Sequence, residues 1–91
     1  MDNLIVMNPD DTVGIAVRDL IKGSSAQVGD TSLVLRQDIP MGHKVALTDI
    51  PIDTDVVRYG EPIGRTIHPV SKGEWVHVHN IFTNLEQEIT Y

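Results

Sequence analysis

The 91 residues include no cysteine, which excludes a disulfide framework, a thiolate metal site and a thiol nucleophile, and permits a reducing compartment. Aromatic residues are scarce, with one Phe, one Trp and two Tyr, so a core has to rest on Val, Ile and Leu, a composition that favours strands. Long apolar runs are missing. Leu4-Ile5-Val6-Met7 has no cationic region before it and falls far short of a signal segment or of the ~20 residues of a membrane span. The expectation is a cytoplasmic protein with no membrane contact. Positive charge is also short: 13 Asp and Glu face 7 Lys and Arg, for a formal charge of -6, which opposes a polyanion-binding surface and argues against nucleic acid as a partner.

With 41% hydrophobic and 22% charged residues, the chain has the composition of a globular domain rather than of a disordered acidic segment. Apolar runs are short and are broken at close intervals by Gly, Pro or Asp. No window sustains the i, i+3, i+4, i+7 stripe of an amphipathic helix over three turns. The fold class expected is therefore all-β, with strands at Leu4 to Met7, Thr12 to Val17, Ser32 to Leu35, Lys44 to Leu47, Val56 to Tyr59, Thr66 to Ile67 and Trp75 to His79. One domain is expected over residues 1-83, followed by a C-terminal tail, 84-91, that frays.

A weak internal repeat organises this pattern. Ile39-Pro40-Met41-Gly42, Ile50-Pro51-Ile52-Asp53 and Val70-Ser71-Lys72-Gly73 each place a β-branched residue first and a turn residue fourth, with Val45, Val56 or Val76 in the seventh place. The fourth place suits a left-handed corner, which Gly enters freely and Asp tolerates. A small β domain that folds back through repeated tight corners follows.

Three stretches hold side chains capable of chemistry. In Trp75-Val76-His77-Val78-His79-Asn80, strand alternation would put both imidazoles on one face, about 6.5–7 Å apart along the strand. That pair suits a divalent metal or an anion, completed from elsewhere in the fold or by another chain; a solvated strand face reads the same way. Gly42-His43-Lys44 follows a predicted corner, with His43 available as acid, base or ligand and Lys44 as a point charge for a carboxylate. Arg58-Tyr59-Gly60-Glu61-Pro62-Ile63-Gly64-Arg65 reads as strand, tight turn and strand, its arginines suited to binding carboxylate or to solubilising the surface. The acidic pairs Asp10-Asp11 and Asp53-x-Asp55 lack the spacing of a calcium loop. A complete active site in so short a chain would be unusual, which points to a subunit.

The segments Asn8-Pro9-Asp10-Asp11-Thr12-Val13-Gly14, Gly42-His43-Lys44-Val45-Ala46, Val57-Arg58-Tyr59-Gly60-Glu61-Pro62 and Gly73-Glu74-Trp75-Val76-His77-Val78-His79-Asn80 occur in this order. Together they resemble the small N-terminal SAF-type domain of the altronate and galactarate dehydratase family, which includes the small subunit of sulfolactate sulfo-lyase. The resemblance implies a β-clip fold and a subunit of a lyase, inactive alone. Its partner would be a large catalytic subunit, with self-association of the isolated chain left open. The implied reaction is β-elimination on a hydroxy acid, with loss of water from a sugar acid or of sulfite from sulfolactate. It also implies a divalent metal, Fe(II), held mainly by the large subunit. Elimination needs a base for the proton α to the carboxylate, a cation for the enediolate and an acid for the leaving group. His43, His77 and His79 are the candidate catalytic residues, with His77 and His79 also candidate metal ligands. Lys44, Arg58, Tyr59 and Asn80 are the candidate substrate contacts. Two positions depart from the family pattern: Asp53 stands where Gly is frequent and Trp75 where His is frequent. The competing expectation is a non-catalytic SAF-like module for carbohydrate binding or assembly.

Overall fold

The computed structural model describes residues 3–77 and 80–82. Short β-branched runs set between turn residues form nine strands, and there is no helix among the described residues. They are β1 (Leu4–Ile5), β2 (Val13–Ala16), β3 (Ser25–Val28), β4 (Thr31–Val34), β5 (Lys44–Ala46), β6 (Asp55–Arg58), β7 (Glu61–Thr66), β8 (Trp75–Val76) and β9 (Ile81–Phe82). The all-β expectation holds.

A four-stranded antiparallel sheet, in the order β1-β2-β5-β8, forms the middle of the domain. Its register places Leu4 opposite Ala16, Gly14 opposite Val45, and Val45 opposite Trp75. Directly paired residues share a face and neighbours along a strand alternate. Leu4, Ala16 and Val45 accordingly join one apolar cluster with Leu20, Ala26, Leu33, Leu35 and Ile39, against which Trp75 packs. Val13, Ala46 and Val76 face the other way, into a cluster with Ile50, Val56, Val70 and Ile81. The hairpin β3–β4 belongs to the first layer. The hairpin β6–β7, which β9 extends, belongs to the second.

The corners repeat as the sequence suggests, and there is one more of them than expected. Gly42, Asp53 and Gly73 have φ values of 88°, 58° and 92°, and Gly23 supplies a fourth corner at 87°. The corners come in pairs. Leu20 and Ile39 exchange backbone hydrogen bonds at 2.8 Å in both directions, and Ile50 and Val70 do so at 2.7 and 2.8 Å. The residues three places beyond the corner positions, Ala26, Val45, Val56 and Val76, are all fully buried. Leu20 and Ala26 are the γ-branched and small counterparts of the β-branched residues at the other corners, which is why this copy is hidden in the sequence.

In the first pair of corners the amide of Lys22 donates to the Asp38 carboxylate at 2.8 Å and the amide of Met41 donates to Asp19 at 2.9 Å. In the second pair Asp49 accepts from Lys72 N at 2.8 Å, and Pro69 stands in the slot equivalent to Asp38.

Several boundaries differ from expectation. Strand β3 (Ser25–Val28) forms where no strand was expected, because Ala26 serves as its inward residue despite carrying no β signal. The last sheet strand is shorter than expected: β8 ends at Val76, and the amides of Asn80 and Ile81 both donate to the His77 carbonyl, which turns the chain into β9. The tail expected over 84–91 lies outside the described residues.

Candidate functional site

The left-handed corner at Gly42 delivers His43 to the start of β5, and the β5–β8 register sets it beside Trp75 and His77. The three rings meet at centroid separations of 5.3 Å: His43 lies edge-on to both Trp75 and His77, and Trp75 stacks on His77 with an interplanar angle of 12°. The indole Nε1–H donates to His43 Nδ1 at 3.2 Å. An indole nitrogen can only donate, so this bond requires a lone pair on His43 Nδ1 and places the proton of the neutral ring on Nε2.

The backbone around this cluster is fixed by amide side chains. Gln37 Oε1 accepts from Trp75 N at 2.8 Å. Asn80, only 7% exposed, donates from Nδ2 to the Trp75 carbonyl at 2.8 Å and accepts at Oδ1 from His77 N at 2.9 Å. Both ends of the Asn80 amide are thus engaged within the chain, where they shape the turn that follows β8.

Strand β8 stops before His77, and the spacing expected between His77 and His79 falls outside the described residues. His79 lies outside the described residues. The imidazole of His43 meets His77 from the neighbouring strand, a contact that the β5–β8 register sets.

Lys44 follows His43 in the chain and faces the other way. It is paired with Val76 and shares a face with Ala46, both members of the second core. The side chain is half-buried. Burial, and then the charge of Arg58, push the Lys44 pKa below the ordinary lysine range. Arg58 lies over the Tyr59 ring, 4.4 Å from its centroid, and its Nη2 donates to the Tyr59 hydroxyl at 3.1 Å. Its Nε is buried and has no hydrogen-bond partner among the described residues. Tyr59 and Gly60, with φ of 57° and 75°, form the two-residue loop of the β6–β7 hairpin, the geometry of a type I′ turn. The loop is anchored by Asp11, which accepts from Gly60 N at 2.8 Å.

The structure therefore separates the candidates: His43 and His77 lie with Trp75 on one face of the central sheet, Lys44 points to the other, and Arg58 with Tyr59 sits at the turn of the β6–β7 hairpin. Arg65 belongs to neither. It is held by Asp53 at 3.1 Å and Asp55 at 2.7 Å and also donates to the Asp53 carbonyl, bracing the one corner built on a non-glycine residue. Among the described residues no group of three or more His, Asp or Glu side chains is placed to hold a metal ion.

Residues 2–84 match the family model described as the altronate/galactarate dehydratase SAF domain. The chain belongs to this family. It is 44% identical over 75 residues to altronate dehydratase of Escherichia coli (strain K12), covering 82% of this chain and 15% of that enzyme. It is 39% identical over 72 residues to the galactarate dehydratase (L-threo-forming) of the same organism, covering 79% of this chain and 14% of the relative. To the (2R)-sulfolactate sulfo-lyase subunit alpha of Chromohalobacter salexigens it is 36% identical over 91 residues, and here the match covers 89% of this chain and 94% of the relative. The chain thus spans a small part of the dehydratases it matches and almost all of the sulfo-lyase subunit.

Proposed function

We propose that this protein is the small subunit of a heteromeric lyase that carries out β-elimination on a hydroxy acid, completing an active site housed mainly in a larger partner. The observation that carries this reading is the nearly end-to-end match to a relative named as a subunit alpha. The paired corners support placing the fold among β-clip domains, and the compartment that fits a soluble metabolic lyase is the cytoplasm.

In this reading His43 and His77 move protons at the reacting carbon. The bond from Trp75 keeps the proton of neutral His43 on Nε2, which suits that nitrogen to donating towards a leaving group or an enediolate oxygen. His43 Nδ1 is occupied by the indole N–H, so His43 could offer a divalent ion only its Nε2. Among the described residues no three His, Asp or Glu side chains converge on a metal site, and in this reading the divalent ion is held mainly by the larger chain.

Purification from a source lysate should recover a larger chain of the same family, and dehydratase or sulfo-lyase activity should require both chains. Activity of the larger chain that is unchanged by omitting this one would sink the proposal. In the two-chain enzyme, His77→Ala should lower kcat by about a hundredfold while leaving the thermal unfolding of the small chain close to wild type.

A further inference from the structure

We propose that Gln37 is a positioning residue for the imidazole cluster, acting through Trp75 to keep the proton of neutral His43 on Nε2. Its consequence for turnover rests on the lyase reading above; its effect on His43 rests on the local geometry alone.

Strand β8 lies at the edge of the central sheet. The backbone groups of successive strand residues point to opposite sides. The Glu74 carbonyl points inward and accepts from Ala46 N at 2.9 Å, so the N–H and C=O of Trp75 point off the edge of the sheet. An edge group of this kind ordinarily goes to water or to another chain. Here two amide side chains stand in for a strand: Gln37 Oε1 accepts from Trp75 N and Asn80 Nδ2 donates to Trp75 O, both at 2.8 Å. Asn80 is five residues from Trp75 and belongs to the turn that follows β8. Gln37 is 38 residues away, so its bond ties β8 to a distant part of the chain.

That part of the chain also carries His43. The stretch from Arg36 to His43 is anchored along its length: Arg36 N donates to Gly73 O at 3.0 Å, Ile39 exchanges two bonds with Leu20 at 2.8 Å, and Met41 N donates to Asp19 at 2.9 Å. One anchored stretch therefore grips Trp75 twice, its backbone N–H at Gln37 Oε1 and its indole N–H at His43 Nδ1. The first bond sets the main chain of Trp75 and the second sets its ring. At 3.2 Å the indole bond is the longer of the two and depends on the ring being held in line. Without Gln37 the Trp75 amide turns to water, the ring loses that alignment, and His43 loses the donor that reserves Nδ1 as an acceptor. The grip requires an oxygen acceptor at the reach of a glutamine side chain.

Nitrogen-15 spectra of the histidines in the full chain, recorded above the imidazole titration, test this. Gln37→Ala should move the Nδ1 signal of neutral His43 from that of an unprotonated nitrogen towards the average of both tautomers. Gln37→Leu fills more of the space without an acceptor and should do the same. Gln37→Glu keeps an oxygen at the same reach and should restore the wild-type signals. Asp38→Ala loosens the same stretch by removing the bond from Lys22 N, and should leave the signals unchanged. In the two-chain enzyme Gln37→Ala should lower kcat about threefold with KM near wild type, and Gln37→Glu should recover it. The proposal is overturned if the His43 signals of Gln37→Ala and Gln37→Leu match wild type, if Gln37→Glu does not restore them, or if Asp38→Ala moves them as far. Failure to recover a larger chain would remove the lyase reading, and the nitrogen signals would still decide the role of Gln37.

Discussion

The indole of Trp75 and the imidazole of His43 are joined by a hydrogen bond in which the imidazole is the acceptor, at 3.2 Å. Protonation of His43 at Nδ1 and retention of this bond are incompatible, since the indole nitrogen has no lone pair to offer in return. Trp75 is thus a positioning residue for His43. Nitrogen-15 spectra of the histidines should show an unprotonated Nδ1 on neutral His43. Trp75→Phe keeps the ring stack but removes the donor, so the proton should then distribute over both ring nitrogens. Turnover in the two-chain enzyme should fall about tenfold, a part of what a well-placed acid or base contributes. A merely structural role for Trp75 would leave the nitrogen signals of His43 unchanged.

Asp11 links stability to pH. Burial alone would raise its pKa, but hydrogen bonds from the amides of Gly60, Tyr59, Met7 and Asn8 outweigh it and hold the carboxyl below its ordinary value. A depressed carboxylate contributes stability that is complete above the unfolded pKa, about 4, and is lost as pH falls through the native value. Wild type should therefore melt at a higher temperature than Asp11→Asn at pH 7, and the two curves should converge as pH drops below about 4. A constant gap across that window would show that Asp11 acts through shape and not through charge.

Two of the three glycine corners, Gly23 and Gly73, should respond very differently to a methyl group. At Gly23, with φ at 87°, nothing lies within 4 Å of a built Cβ. Gly23→Ala should thus cost only the left-handed conformation, about 1 kcal/mol. At Gly73, with φ at 92°, the same atom would collide with the Val34 carbonyl oxygen, a backbone group that cannot swing aside. Gly73→Ala should cost about 3 kcal/mol or more. Chemical denaturation of both variants checks the order.

The reciprocal aspartate bonds of the first corner pair make a third stability test. Asp19→Ala and Asp38→Ala should each lose about 1 kcal/mol, the usual worth of an exposed charge-assisted bond to a backbone amide. They tie the same two corners together, so the double variant should lose less than the sum of the two. Strict additivity would mean that the two bonds act independently.

What could be read from the sequence was local. Gly42, Asp53 and Gly73 occupy the same place in a repeated pattern, and all three adopt positive φ. Their common backbone requirement restricts the choice of residue, and so leaves a visible trace. The corner at Gly23 escaped because a buried position there accepts Leu20 and Ala26 as readily as other corners accept Ile and Val. The site was harder to foresee. His43 and His77 lie far apart in the chain and meet through strand register, which one-dimensional alternation does not encode. Reading Gly42-His43-Lys44 as one cationic unit overlooked the alternation of β5, which sends its adjacent side chains to opposite faces. The end of β8 is set by Asn80, whose two amide bonds to the backbone capture the turn.

The central sheet also joins segments that lie far apart in the chain. The first core draws its buried members from Leu4 to Val45, but the strand that completes the sheet beside Val45 comes from Trp75 and Val76, near the end of the described chain. Sheets built from such distant pairings fold in roughly milliseconds to seconds rather than microseconds. The lone tryptophan of the chain lies in that strand, packed on the first core and against two imidazoles. Its fluorescence therefore reports the docking of β8 onto the sheet, read at the same ring that orients His43.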